Sequence, residues 1–194
     1  MNSDIRIGIV VGSTRPQRRG AIVADWVQQV AEAHGATVAL LDLADFDLPL
    51  LDEPSPALHA TYTRPHTLRW ATAVAACDAF VFVVPEYNHS FPAAVKNAID
   101  YLFAEWNDKA AGLVGYGVQG GVRAVEALRP VLAEVGIADV RTQVCVDLMS
   151  DFVLTGPTDV GRIAPATHRE DTLRRMLDEV TAWAGALRGL RVSA

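Results

Sequence analysis

"AFVFVVPEYNHS", residues 79–90, is the stretch whose reading decides the fold. Its first six residues are apolar without a break, and Val and Phe dominate them. Six residues are too few for a free-standing helix, and β-branched and aromatic side chains favour extended backbone. A strand with no polar face is covered on both sides, which is the condition of an interior strand in a parallel sheet. The proline and the polar residues that follow end it abruptly and start a turn.

The same grammar repeats in both directions. "IRIGIVV" (5–11) reads as a first strand, and Ile22, Val23, Trp26, Val27 and Val30 mark a helix face that ends near Gly35. "TVALLDL" (37–43) is a second strand, followed by an acidic, proline-bearing loop, "ADFDLPLLDEPSP". Pro65 suits the first turn of a helix that continues through "HTLRWATAVAA". Beyond residue 90, Val95, Ile99 and Leu102 predict a helix, "AGLVGYG" (111–117) a fourth strand, and Val125, Leu128, Leu132 and Val135 a fourth helix. "ADVRTQVCV" is a fifth strand. A loop holding Gly156, Pro157, Gly161 and Pro165 then leads to a last helix with Leu173, Leu177, Val180, Ala184 and Leu187 on one face. Alternating strands and helices predict an α/β, doubly wound five-stranded parallel sheet with helices on both faces, in one domain over 1–194. The natural strand order is 2-1-3-4-5, which puts the ligand crevice outside the carboxyl ends of strands 1 and 3. The loops "GSTRPQRRG" (12–20), "PEYNHS" (85–90) and "GYGVQGG" (115–121) should therefore form the site.

The 194 residues are 51% hydrophobic and 21% charged, with a formal net charge of -6. An acidic chain is a poor general binder of nucleic acid or anionic membrane, so any anion site must be local. Cys77 and Cys145, in "AVAACDAF" and "TQVCVDL", lack metal-ligand or C-x-x-C spacing and read as buried packing thiols. His59 and His66 show no established metal spacing, and no metal is expected. No apolar run approaches the roughly 18 residues of a membrane span, and the N-terminus lacks a signal-peptide core. A cytoplasmic protein is the expectation.

The first loop follows a strand and opens a helix, where unpaired N–H groups and the positive end of the dipole favour an anion. Ser13 and Thr14 add hydroxyl donors, and Arg15, Arg18 and Arg19 add charge in forked geometry. Gly12 permits a sharp turn, and Gly20 would let a ligand come close to the backbone. A phosphate is the obvious guest. A P-loop is excluded because no lysine stands here; the chain has only Lys96 and Lys109. A dinucleotide fingerprint is excluded because Gly12 and Gly20 are too far apart, which leaves Asp42 as a loop or capping residue.

Together with "GSTR", the stretch "PEYNHSFPAAVKNAIDYL" closely resembles the NADPH-dependent FMN reductase family of flavodoxin-like quinone, azo-dye, metal-ion and flavin reductases. The resemblance runs from about residue 5 to the final helix and includes "DLADFDLPLLDE". It implies a flavodoxin-like fold and FMN as cofactor, with NADPH or NADH as co-substrate. Ser13, Arg15 and the turn through Gly20 would hold the FMN phosphate, with Thr14, Arg18 and Arg19 beside them. Pro85, Glu86, Tyr87 and Asn88 would run along the flavin, their backbone N–H groups and the Asn88 amide reaching its N5 and O4 edge. Tyr116 and Gly117 would approach the pyrimidine end, with Gly120 and Gly121 keeping that approach open. Relatives often read G-S-x-R-x-x-S-x-N; Arg18 and Gly20 depart from that pattern, which points to guanidinium groups and backbone as the phosphate's holders.

Within this reading no side chain need act as nucleophile, and no catalytic residue is named; His89 invites a proton-donor reading, with a solvent-facing loop residue as the favoured alternative. Lys96 and Asp100 are four apart on a helix that the resemblance puts near a subunit contact, so an ion pair is expected. Trp70, Trp106 and Trp183 read as packing or interface residues. The expected activity is ping-pong transfer of hydride from NAD(P)H through FMN to a small acceptor (quinone, azo compound, metal ion or free flavin), in a homodimer or homotetramer. Two other classes stay open: a flavodoxin-type electron carrier, and a flavin-free scaffold of the same fold.

Overall fold

The computed structural model describes residues 5–156 and 159–191, so Pro157 of the last loop lies outside the described residues. Five strands form one sheet: β1 (Arg6–Val11), β2 (Thr37–Asp42), β3 (Ala79–Pro85), β4 (Lys109–Gly117) and β5 (Ile137–Asp147). Every neighbouring pair is parallel, and the order is β2-β1-β3-β4-β5, as the alternation of elements predicts. The helices are α1 (Gly20–Ala33), α2 (Leu43–Phe46), α3 (Pro65–Ala75), α4 (Ala93–Asp100), α5 (Val122–Glu134) and α6 (Thr167–Arg191).

All seven residues of β3 are buried, and the two-residue period of the strand sorts them onto two cores. Val81 and Val83 join Ile7, Ile9, Val27 of α1 and Leu177 of α6 on one face. Phe80, Phe82 and Val84 join Trp70 of α3, Val95 of α4 and Leu128 of α5 on the other. An unbroken apolar run is what a strand needs when both faces are covered. Because β1 leads sideways to β2 while β3 leads the other way to β4, the turns after β1 and β3 diverge and leave a crevice between them.

Helix ends follow local chemistry. α1 stops at Gly35, whose φ of +86° is left-handed. The Gly35 and Ala36 amides return to the carbonyls of Glu32 and Ala31, both at 2.9 Å, which closes the helix in a Schellman motif. Leu102 and Val135, expected in helices, lie just past α4 and α5 yet are buried. Helical spacing there marks burial rather than helix. Several short elements were not expected. The acidic loop after β2 begins with the short α2, capped by Asp42, whose Oδ1 accepts the Ala44 amide at 3.0 Å. The loop after β5 carries an antiparallel ribbon of β6 (Phe152–Val153) and β7 (Arg162–Ile163). Buried Asp151 anchors that ribbon, accepting the Asp147 amide at 2.8 Å and Arg169 Nε at 3.1 Å.

Trp70 and Trp106 are fully buried, whereas Trp183 is exposed. Cys77 is buried, but Cys145, expected to be so, is only half-buried because it sits on the edge strand. Lys96 and Asp100 form the expected ion pair, at 2.6 Å. Among the described residues no helix is long and apolar enough to cross a membrane, and no three metal-ligating side chains converge.

Candidate functional site

The turn after β1 starts at Gly12, whose amide continues the sheet to the Val83 carbonyl at 2.9 Å. A Cβ at Gly12 would lie 2.7 Å from Val95 Cγ2, so glycine here lets α4 close against the turn. Ser13 is completely buried and its Oγ lies 2.8 Å from Tyr87 Oη. Thr14 and Arg15 are exposed.

The three arginines do not share one fate. Arg18 pairs with Asp42, the residue that also caps α2, and its Nε is buried with no partner. Arg19 donates from Nε to the Val160 carbonyl at 3.2 Å and from its terminal nitrogen to the Asp159 carbonyl, tying the ribbon loop to the start of α1. Among the described residues Arg15 makes no hydrogen bond or ion pair, and it borders the crevice. Acid and carbonyl partners inside the fold engage Arg18 and Arg19, while Arg15 and Arg19 both border the crevice.

The turn after β3 is a tight hairpin. The Tyr87 amide donates to the Ser90 carbonyl at 2.8 Å, and the Ser90 amide returns the bond at 3.1 Å. Asn88 and His89 between them have φ of 48° and 74°, the double left-handed geometry of a type I′ turn. That turn leaves the Asn88 and His89 amides outside its own hydrogen bonds. Glu86 is held on both sides: its amide donates to the Tyr116 carbonyl at 3.0 Å, and its carboxylate accepts the Arg123 side chain and amide at the start of α5. His89 is exposed at the tip.

After β4, the Gly117 carbonyl accepts the amides of Gly120 (3.1 Å) and Leu148 (2.9 Å). Gly120 and Gly121 have φ of 66° and 69°. A Cβ at Gly121 would lie 2.4 Å from the Tyr116 nitrogen, and one at Gly120 2.8 Å from Cys145 Cβ. These glycines serve left-handed backbone and close packing on β4 and β5, which corrects the expectation that they hold open an approach to a ligand. At Gly20 a Cβ would meet Tyr116 Oη at 2.6 Å, so the missing side chain also makes room for a phenol reaching in from β4. The Tyr116 hydroxyl therefore lies at the phosphate-type turn, not only beside Gly117. Its titration is pushed well above the ordinary phenol range, chiefly by burial, with Tyr87, Ser13, Arg15 and Arg18 all close enough to register.

A cleft of about 160 Å³ joins the three turns. Arg15 and Arg19 wall one side, Pro85 to Tyr87 the second and Tyr116 to Val118 the third, and Leu148 closes it from the loop after β5. A second cleft lies across the first turn, where Thr14 meets Leu43, Ala44 and Leu48 of the α2 region and Ala94 and Asn97 of α4. One turn thus serves two hollows.

Residues 5–150 match the sequence profile described as NADPH-dependent FMN reductase. The chain belongs to the NADPH-dependent FMN reductase family. A family relative in Nectria sp., named NAD(P)H-dependent FMN reductase, is 39% identical over 126 residues; the match covers 61% of this chain and 63% of that protein, under two thirds of its length. Another, a quinone reductase of Pseudomonas putida, is 33% identical over 137 residues, covering 66% of this chain and 70% of its own. Among solved structures, the flavoenzyme NAD(P)H:(acceptor) oxidoreductase of Paracoccus denitrificans superimposes with a TM-score of 0.72, covering 94% of this chain and 98% of that one at 23% identity. That likeness bears on the fold. The relatives' names describe NAD(P)H-dependent FMN reductases and quinone reductases.

Leu148, Arg123 and the second hollow were not anticipated as parts of this region, whereas Val118 belongs to the expected third loop. Leu148 had a signal available, since β5 neighbours β4 and its following loop must end at the same rim. Arg123 had none: its pairing with Glu86 joins residues 37 positions apart.

Proposed function

We propose that the protein is an NAD(P)H-dependent reductase that holds FMN at the crevice between the turns after β1, β3 and β4 and passes electrons to a small, flat acceptor. The carrying observation is the pairing of an unengaged Arg15 and a hydroxyl cluster at the start of α1 with a hairpin whose Asn88 and His89 amides are unused by its own bonds. The first feature fits a phosphate monoester, which takes only donors and carries roughly two charges. The second fits the acceptor-bearing edge of a heteroaromatic ring. Bound there, FMN would supply two-electron transfer from nicotinamide to acceptor.

The chain's own work is then positioning. Ser13 and Arg15 anchor the tail, with the Thr14 side chain beside them. Glu86, fixed by Arg123 and the Tyr116 carbonyl, keeps the hairpin in register with β4. Gly117 leaves the crevice floor free of a side chain, and exposed Val118 with half-buried Leu148 gives an apolar rim suited to a quinone or a second flavin. Because reductant and acceptor would use the same open face in turn, ping-pong kinetics follow. A homo-oligomer is part of the same reading, supported by exposed Leu50, Leu51, Leu58 and Leu68 on the flank formed by α3 and the loop before it.

The test is a visible spectrum of the purified protein followed by anaerobic NADPH. A yellow protein that bleaches within mixing time, with parallel double-reciprocal plots, supports the proposal. Slow reduction would favour an electron carrier instead. Unchanged flavin occupancy in a Ser13→Ala/Arg15→Ala double variant would remove the assigned phosphate site.

A further inference from the structure

We infer that the Tyr116 hydroxyl is a phosphate donor in this site, reaching from β4 into space that a side chain at position 20 would otherwise occupy. The inference rests on the FMN reading above and adds a residue from a different strand to its anion turn.

Gly20 is buried at the first position of α1. A Cβ there would lie 2.6 Å from Tyr116 Oη, 3.4 Å from Ser13 Cβ and 3.5 Å from Tyr116 Cζ. Gly20 is absent from the residues with positive φ, so the missing side chain answers to space and not to backbone conformation. The fold thus reserves one specific volume, beside Ser13 and at a helix N-terminus, for a phenol hydroxyl. Arg18, which precedes it by two residues, is engaged by Asp42 and offers no substitute.

Proton counting shows what that hydroxyl has to give. Ser13 Oγ lies 2.8 Å from Tyr87 Oη, and the Tyr116 hydroxyl sits beside that pair, since a single Cβ at Gly20 would meet both Tyr116 Oη at 2.6 Å and Ser13 Cβ at 3.4 Å. Each hydroxyl carries one proton and the Ser13–Tyr87 contact uses only one, so the three hydroxyls keep protons for an outside acceptor. A phosphate dianion accepts only, and it can turn all three outward. Burial holds Tyr116 protonated throughout the range in which phosphate is dianionic, so the group remains a donor. Arg15 and Tyr116 line the same crevice, which sets the phenol's strand opposite a guanidinium that is unpaired among the described residues.

The experiment compares FMN with riboflavin, which has the same ring and no phosphate, on full-length protein freed of flavin. Binding is read by quenching of flavin fluorescence in wild type and in Tyr116→Phe. The expected result is FMN weakened about tenfold or more, as for a lost hydrogen bond to a charged group, with riboflavin changed by less than about twofold. The ³¹P resonance of bound FMN should also move in the variant. Gly20→Ala, which keeps the hydroxyl but displaces it, should weaken FMN selectively as well. Equal loss for both flavins would make Tyr116 a ring contact and overturn the inference, as would unchanged FMN affinity with an unmoved ³¹P signal. Wild type that binds FMN no better than riboflavin would instead defeat the phosphate site itself, a different failure from one confined to Tyr116.

Discussion

Replacing Gly20 by alanine adds one methyl group where the Tyr116 hydroxyl already lies. The new carbon would stand 2.6 Å from that oxygen, well inside contact distance, while the next neighbours, Ser13 Cβ at 3.4 Å and Tyr116 Cζ at 3.5 Å, are ordinary contacts. Alanine suits the backbone at the start of α1, and by restricting the unfolded chain it should gain about 0.4–1 kcal/mol. Overpacking a buried site typically costs about 1–3 kcal/mol, so the single variant should lose roughly 1–2 kcal/mol net. Tyr116→Phe removes only the offending oxygen. In that background Gly20→Ala should cost nothing or stabilise slightly, leaving a coupling energy of about 1–3 kcal/mol between the two positions. Urea unfolding of the four proteins of the cycle, freed of flavin so that ligand linkage does not enter, measures it. Equal penalties in both backgrounds, or a Gly20→Ala protein as stable as wild type, would refute the claim that this glycine exists to admit the phenol.

Asp42 both caps α2 and pairs with Arg18, so Asp42→Ala should cost about 2 kcal/mol and Asp42→Asn, which keeps the cap, distinctly less; equal losses in chemical denaturation would contradict the double role. His89→Gly should raise the melting temperature, since glycine adopts the φ of 74° without the roughly 1 kcal/mol left-handed penalty, and should leave turnover intact if the imidazole transfers no proton. Lys109 is buried with its ammonium on the Val74 carbonyl at 2.9 Å, and burial lowers its pKa to about 8. The unfolded chain therefore holds the extra proton between pH 8 and 10.5, so this residue's contribution is full above 10.5 and is lost as pH falls toward 8. The stability advantage of Lys109→Met, on the order of 3 kcal/mol at neutral pH before the lost hydrogen bond, should shrink across that window. A pH-independent difference in urea unfolding would count against it. Above pH 10 both proteins should lose stability together, because the Tyr101 phenol, raised to about 12 mainly by burial and its bond to Asp52, resists the ionisation that unfolding permits.

Sheet order, the crevice and the turns that build it were legible in sequence, because they rest on local rules. Unbroken apolar strands must be covered on both faces, alternation of strand and helix forces parallel crossovers, and ligands collect where winding reverses. The motifs at 12–15 and 85–88 were legible for the same reason: each is a continuous run whose chemistry sits in its own turn. What tertiary structure alone decided is how side chains from different turns divide the work. Three arginines within five residues look equivalent in a string, but Asp42 claims one and the carbonyls of Asp159 and Val160 claim another. Gly120 and Gly121 look like room for a ligand, yet the space beside each is filled by Cys145 or the β4 backbone. Pairings such as Ser13 with Tyr87, 74 positions apart, follow from how the sheet aligns its carboxyl ends, and short-range periodicity holds no record of that alignment.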